Sequence, residues 1–276
     1  MGAVYRARDM HFPNVDKRVA VKEMVNQIRD PLLRETIVRN FEREANILAT
    51  LNHPSIPRIY DYFTQNERSY LIMEYVDGKD LEALLGENPD FFSAEQVVGW
   101  GIELCDVLHY LHSHKPDPII FRDMKPSNVM INQHQHVVLV DFGIAKTFQS
   151  GQKGTMIGTE GYAPPEQYRG EATPLADIYA LGATLHHLLT RRDPRLEAPF
   201  SFAERPIRQL NPSISPELEV VINAAVQYNP EDRYQSALEM KDALINVARK
   251  TGLLGPITLP AARSTQAESN VKLLWT

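Results

Sequence analysis

The chain has 276 residues, with 29 basic against 35 acidic side chains and a formal net charge of −6. Apolar residues make up 43% and charged residues 23%, which excludes a disordered chain and fits a soluble globular one with a sizeable core. The acidity argues against nucleic acid as the main partner, and the single cysteine, Cys105, excludes an intrachain disulfide or a multi-cysteine zinc site.

No apolar run approaches the roughly 20 residues that span a bilayer. The longest, Leu104–Leu111 and Ala180–Leu189, are broken by Asp and His. The opening Met1-Gly2-Ala3-Val4-Tyr5-Arg6 has no secretory apolar segment, and Arg6 stands where a myristoylation motif needs Ser or Thr. A cytoplasmic protein without a membrane segment in this chain is the expectation.

Up to about Asp77 the chain reads as strands around one long helix. Val19-Ala20-Val21-Lys22 and Tyr70–Val76 are strand-like runs, the second closed by a predicted Asp77-Gly78 turn. Between them, Leu33, Ile37, Phe41, Ala45 and Leu48 recur at helical spacing and predict a helix over Leu32 to Leu51. Pro31 starts it and His53-Pro54 stops it.

Beyond Gly78 the pattern changes to long helices. Ser93-Ala94-Glu95-Gln96 is a capping-box sequence for a helix reaching about His112. Asn128–Asn132 and His136–Val140 predict a two-strand ribbon around a polar turn. Leu175–Thr190 is apolar enough to be buried on most sides, and two further helices are expected near Pro216–Gln227 and Gln235–Lys250. The aperiodic tail over 251–276 is expected to be poorly ordered.

Four segments carry chemistry: Val-Ala-Val-Lys ending at Lys22, Phe121-Arg122-Asp123-Met124-Lys125-Pro126-Ser127-Asn128, Asp141-Phe142-Gly143, and Pro164-Pro165-Glu166. In this order they resemble the signature set of eukaryotic-like protein kinases, specifically the bacterial Ser/Thr branch, from Gly2 to about Lys250. The resemblance implies an α+β, two-lobed fold over residues 1–250. A small β-rich N-lobe (about 1–76) would join a larger helical C-lobe (about 77–250), with the ligand site in the cleft between them.

It also implies ATP and Mg2+ as cofactors, and protein substrates bearing Ser or Thr. Lys22 would neutralise the α- and β-phosphates, held by Glu44 on the long helix. Asp123 matches the residue that accepts or orients the substrate hydroxyl proton, and Lys125 would offset charge on the transferring phosphoryl group. Asn128 and Asp141 supply hard oxygen donors suited to magnesium, at the family's spacing from Asp123. Gly2, Val4, Ala20 and Met130 fall around the expected nucleotide. Met73 resembles the gatekeeper, and Glu74 to Val76 the hinge.

Further positions follow the same resemblance. Lys125 and Thr159 point to Ser/Thr as acceptor, with Thr159 expected to bond the catalytic aspartate and lysine. Thr155 matches the activating phosphorylation position, which Arg122 would receive. Glu166 and Arg233 resemble a buried ion pair, and Asp177 the anchor of the catalytic-loop backbone. Leu48, Ile59, Phe121 and Phe142 fall on the family's apolar column.

The chain departs from the pattern at its start. The loop Gly-x-Gly-x-x-Gly-x-Val is represented only by Gly2-Ala3-Val4, and its first strand and two glycines are missing. Because the downstream catalytic residues are intact, a truncated start is the expectation. The alternative is a pseudokinase-like nucleotide-binding or scaffold module, inactive for want of that loop. Phe121 replaces the usual His, and Pro164 the usual Ala. His109 and His112 share a helix face without a further metal ligand nearby, and are read as solvated; His186-His187 is read as packed or hydrogen-bonded.

Overall fold

The computed structural model describes residues 2–11, 14–25, 31–142 and 158–253. Two strands open the chain, β1 (Gly2–Arg8) and β2 (Arg18–Val25), followed by α1 (Pro31–Ala49). β3 (Ile59–Gln65) and β4 (Arg68–Glu74) complete an antiparallel sheet of order β1-β2-β4-β3. Its register sets Lys22 opposite Leu71 and Ala20 opposite Met73. One face of the sheet takes α1, where the Phe41 ring meets Tyr62 edge-on at 6.1 Å. Among the described residues β1 and β3 are the edge strands, and Val4 and Tyr5 on β1 are exposed.

The Asp77-Gly78 pair is not a turn. Gly78 begins a short strand, β5 (Gly78–Asp80), that pairs with β6 (Val129–Asn132), which in turn pairs with β7 (Val137–Leu139). A Cβ at Gly78 would stand 2.1 Å from the Ile131 carbonyl oxygen, so the glycine serves close strand approach rather than chain reversal.

Several helices of the helical part open on side-chain N-caps. In α2 (Leu81–Glu87), Asp80 accepts the Ala83 N–H. α3 (Ala94–His112) carries the expected reciprocal Ser93–Gln96 capping box. The short α4 (Pro165–Tyr168) leads into α5 (Pro174–Thr190), which is buried from Ala176 to its end and forms the axis of the lobe. α6 (Ile207–Leu210), α7 (Pro216–Ala225) and α8 (Ala237–Thr251) pack around it, and Gly252 closes α8 in the left-handed region at φ 70°.

Several polar groups inside this lobe are paired, although the buried Tyr168 and Tyr179 hydroxyls and Arg205 Nη1 have no hydrogen-bond partner among the described residues. Arg233 grips Glu166 through two bonds, Nη1–Oε1 at 2.5 Å and Nη2–Oε2 at 3.0 Å, with both side chains almost fully buried. His186 donates from Nε2 to the Arg205 carbonyl at 2.9 Å, and His187 Nδ1 meets the Tyr162 hydroxyl at 2.7 Å. The expectation for the His186-His187 pair therefore holds.

Glu166→Ala strands a buried guanidinium and is expected to cost roughly 3–5 kcal/mol, read as a lowered denaturation midpoint. Burial holds the imidazoles of both His186 and His187 down at about 4, against 6.5 when unfolded. The unfolded chain therefore binds more protons between these values, and stability falls as the pH drops from about 6.5 toward 4. Melting temperatures across that window should decline, and less steeply in His186→Gln; an identical slope in the variant contradicts the assignment.

Candidate active site

Asp177 organises the catalytic loop. Its side chain is fully buried, with Oδ2 accepting the Phe121 N–H and Oδ1 the Arg122 N–H, each at 2.8 Å. His112 Nε2 donates to the same Oδ2 at 2.8 Å. This corrects the reading of His112 as solvated: its ring is turned inward because the buried carboxylate needs a third donor. Arg122 is held in the left-handed region at φ 70°, and its carbonyl accepts the Gln167 side-chain amide at 2.8 Å. Such backbone strain persists only where neighbours fix it on both sides.

One residue further on, Asp123 is buried and enclosed by donors. Thr159 Oγ1 donates to its Oδ1 at 2.7 Å. Asn128 Nδ2 bonds its backbone oxygen at 2.8 Å and its Oδ2 at 2.9 Å, and Lys125 Nζ lies 3.2 Å from Oδ2. Lys125 also donates to Thr159 Oγ1 at 2.8 Å. The expected contact of Thr159 with both residues is present.

The ribbon then returns the chain to the same place. Asn128 ends a 3-10 turn over Pro126–Asn128, and its backbone oxygen accepts the Val140 N–H at 2.9 Å. Asp141 follows directly, in the left-handed region at φ 60°. Its Oδ1 accepts a hydrogen bond from Lys22 Nζ, which joins the four-stranded sheet to the helical lobe. The expected Lys22–Glu44 pairing falls on Glu44, which lies on α1 but whose side chain is outside the described residues.

Behind this pair is a small cavity of about 20 Å³, walled by Leu48, Ile56, Ile59, Leu71, Met73 and Phe142. The Phe121 and Phe142 rings meet edge-on at 5.2 Å, so the expected apolar column forms a continuous wall. Met73 faces the cavity at the end of β4. Glu74 donates its N–H to the Arg58 carbonyl, and Val76 lies beyond in the link to β5. Val4 sits opposite Lys22 on the exposed strand β1, and Met130 pairs across the lower ribbon with Val138. Thr155 and the tail from 254 lie outside the described residues.

Sequence reasoning missed His112 and Gln167 as supports of the catalytic loop. Neither has a local signature, since their partners lie 65 and 45 residues away. Among the described residues no His, Cys, Asp and Glu cluster of three forms a metal site, and no helix is long and apolar enough to cross a membrane.

Comparison with known proteins agrees with this geometry. The protein kinase domain family matches residues 1–244, and the chain belongs to that family. It is 34% identical to the serine/threonine-protein kinase PknB of Mycolicibacterium smegmatis, over 96% of this chain and 44% of the relative. It is 32% identical to the serine/threonine-protein kinase B of Synechocystis, over 96% and 48% respectively. The chain thus spans less than half the length of these curated relatives. Among solved structures, the apo form of PpkA-294 superposes with a TM-score of 0.73 at 26% identity, covering 88% of this chain and 91% of that one. The Mycobacterium tuberculosis PknI kinase domain gives 0.68 at 27%, covering 89% and 91%.

Asp177→Ala removes the acceptor for two loop amides and for His112. On the kinase reading proposed below, a folded variant with at least a hundredfold lower phosphoryl-transfer rate is expected, on the scale of a misplaced reacting group. Circular dichroism and a rate assay on the same sample check it.

Proposed function

We propose that this domain transfers the γ-phosphoryl group of ATP to Ser and Thr hydroxyls of protein substrates, including its own Thr155. The observation that carries the reading is the convergence of Asp123, Lys125, Asn128 and Thr159 in one hydrogen-bonded set, with Lys22 and Asp141 paired beside it. Family membership supports it independently.

The residues present fit magnesium and a nucleotide triphosphate. Asn128 spends its amide nitrogen on Asp123, so the polar atom remaining on its side chain is the oxygen. The Asp141 carboxylate is half exposed, and together they offer the hard oxygen donors that magnesium prefers. When bound, the metal neutralises charge on the phosphates. Lys22, with Asp141 holding its amine, adds a cation for the α- and β-phosphates. Val4, Ala20 and Met130 would border the adenine and Gly2, the remnant of the glycine-rich loop, the phosphates, with hinge contacts from Glu74 to Val76.

Asp123 takes the proton of the attacking hydroxyl at a carboxylate oxygen. As that hydroxyl oxygen bonds to the γ-phosphorus, the bond to the β-phosphate oxygen breaks. Lys125 lies beside Asp123 and offsets the negative charge spread over the transferring group. Thr159 and Asn128 fix the carboxylate so that it need not reorganise, and the apolar wall of Phe121, Phe142 and Leu48 limits water from behind.

Radiolabelled transfer to a generic basic protein, with Asp123→Asn as control, tests the reading. The expected loss is about 10²–10⁴-fold, the usual worth of a positioned acid–base group. Equal transfer by both proteins, or none by the wild type, removes the enzyme reading and leaves a nucleotide-binding or scaffold module.

A further inference from the structure

Outside the catalytic set, the segment after α5 makes an unusual double attachment to α2. Arg191, left-handed at φ 59°, donates from Nη2 to the Leu85 carbonyl at 2.8 Å and from Nη1 to the Asp90 carbonyl at 3.1 Å. Arg195 holds the other end of α2, with Nη2 at 2.7 Å from Glu82 Oε1. The same guanidinium is locked onto Asp193, with Nε 3.0 Å from both carboxylate oxygens and Nη2 2.6 Å from Oδ2. Asp193 in turn accepts the Arg195 N–H at 2.9 Å and starts the 3-10 turn over Pro194–Leu196.

That turn presses against the acceptor side of the active site. A Cβ on Gly161 would lie 2.5 Å from the Pro194 carbonyl carbon and oxygen and 2.8 Å from the Arg195 nitrogen. Only the bare glycine, at φ 85°, admits this contact. Gly161 lies inside the tight turn in which Tyr162 and Ala163 both donate N–H bonds to the Thr159 carbonyl at 3.1 Å. The Thr159 hydroxyl is the group that holds Asp123 Oδ1. An unbroken chain of contacts therefore runs from Glu82 through Arg195, Pro194, Gly161 and Thr159 to Asp123.

We propose that Arg195 is a positioning residue, whose bridge between Glu82 and Asp193 sets the 194–196 turn against Gly161 and so fixes Thr159 on the catalytic carboxylate. It acts through the acceptor side of the site and does not touch the nucleotide residues. The proposal rests on the kinase reading for its kinetic consequence alone; the structural coupling stands apart from it. An exposed ion pair by itself contributes little to stability. This bridge differs because two carboxylates share one guanidinium, and a small displacement at a catalytic group is costly in rate.

The test uses the full chain with Arg195→Gln, Glu82→Gln, Arg195→Lys and, as control, Glu87→Gln, which removes from the end of α2 the partner of Lys79 on β5. Two readouts are taken: amide exchange over 159–163, and kcat with separate KM values for ATP and a basic protein acceptor. Arg195→Gln and Glu82→Gln should speed exchange of the Tyr162 and Ala163 amides and lower kcat about tenfold, leaving KM for ATP within about twofold. Arg195→Lys should recover part of both, and Glu87→Gln should match the wild type. Unchanged exchange at 159–163 in Arg195→Gln overturns the proposal, as does acceleration spread evenly over the chain, the mark of a merely structural role. A wild type without transfer activity counts against the kinase reading, while the exchange result still decides the coupling.

Discussion

A carboxylate with no access to solvent must find its donors inside the protein, and Asp177 finds three. Two are backbone amides of the catalytic loop and the third is His112. That requirement fixes the loop's conformation, including the left-handed Arg122, before any substrate arrives. The cost of burying the charge is offset by charge-assisted bonds, which are stronger than neutral ones. Because Asp177 lies on the buried helix α5, the loop inherits the rigidity of the lobe's axis.

The rest of the site is a set of charges held at fixed points by residues far apart in sequence. Asp123 is enclosed by a hydroxyl, an amide and an ammonium, so its orientation is set by the fold. Lys22 and Asp141 neutralise each other across the cleft and join the sheet to the helical lobe. Glu166 and Arg233 fix the far end of the segment that carries Thr159. Arg195 works on the same segment from the α2 side. The segment that carries Thr159 is thus braced from two directions.

Much of this was legible in the sequence. The capping box at Ser93, the helical spacing from Leu33 to Leu48 and the apolar run of α5 are local signals, and each produced the expected element. Lys22, Asp123, Lys125, Asn128, Asp141 and Thr159 were singled out through motif spacing, and the fold gathers them into contact. The errors share one cause. Asp77-Gly78 has turn composition, yet the glycine is there for the Ile131 carbonyl that comes from 53 residues away (131 − 78). His112 was read as solvated because nothing near it in the chain announces a buried acceptor.

Periodicity, capping residues and motif order were enough by themselves to determine the long helices and the two-lobed kinase fold, and to single out the candidate site residues. These features are encoded in neighbours a few residues apart, and short-range sterics and hydrogen bonding decide them. Only the tertiary structure decided that His112 braces Asp177, that Lys22 reaches Asp141, and that Arg195 stands between Glu82 and Asp193. Those contacts depend on packing of elements distant in the chain, and the composition of either partner alone carries no record of the other.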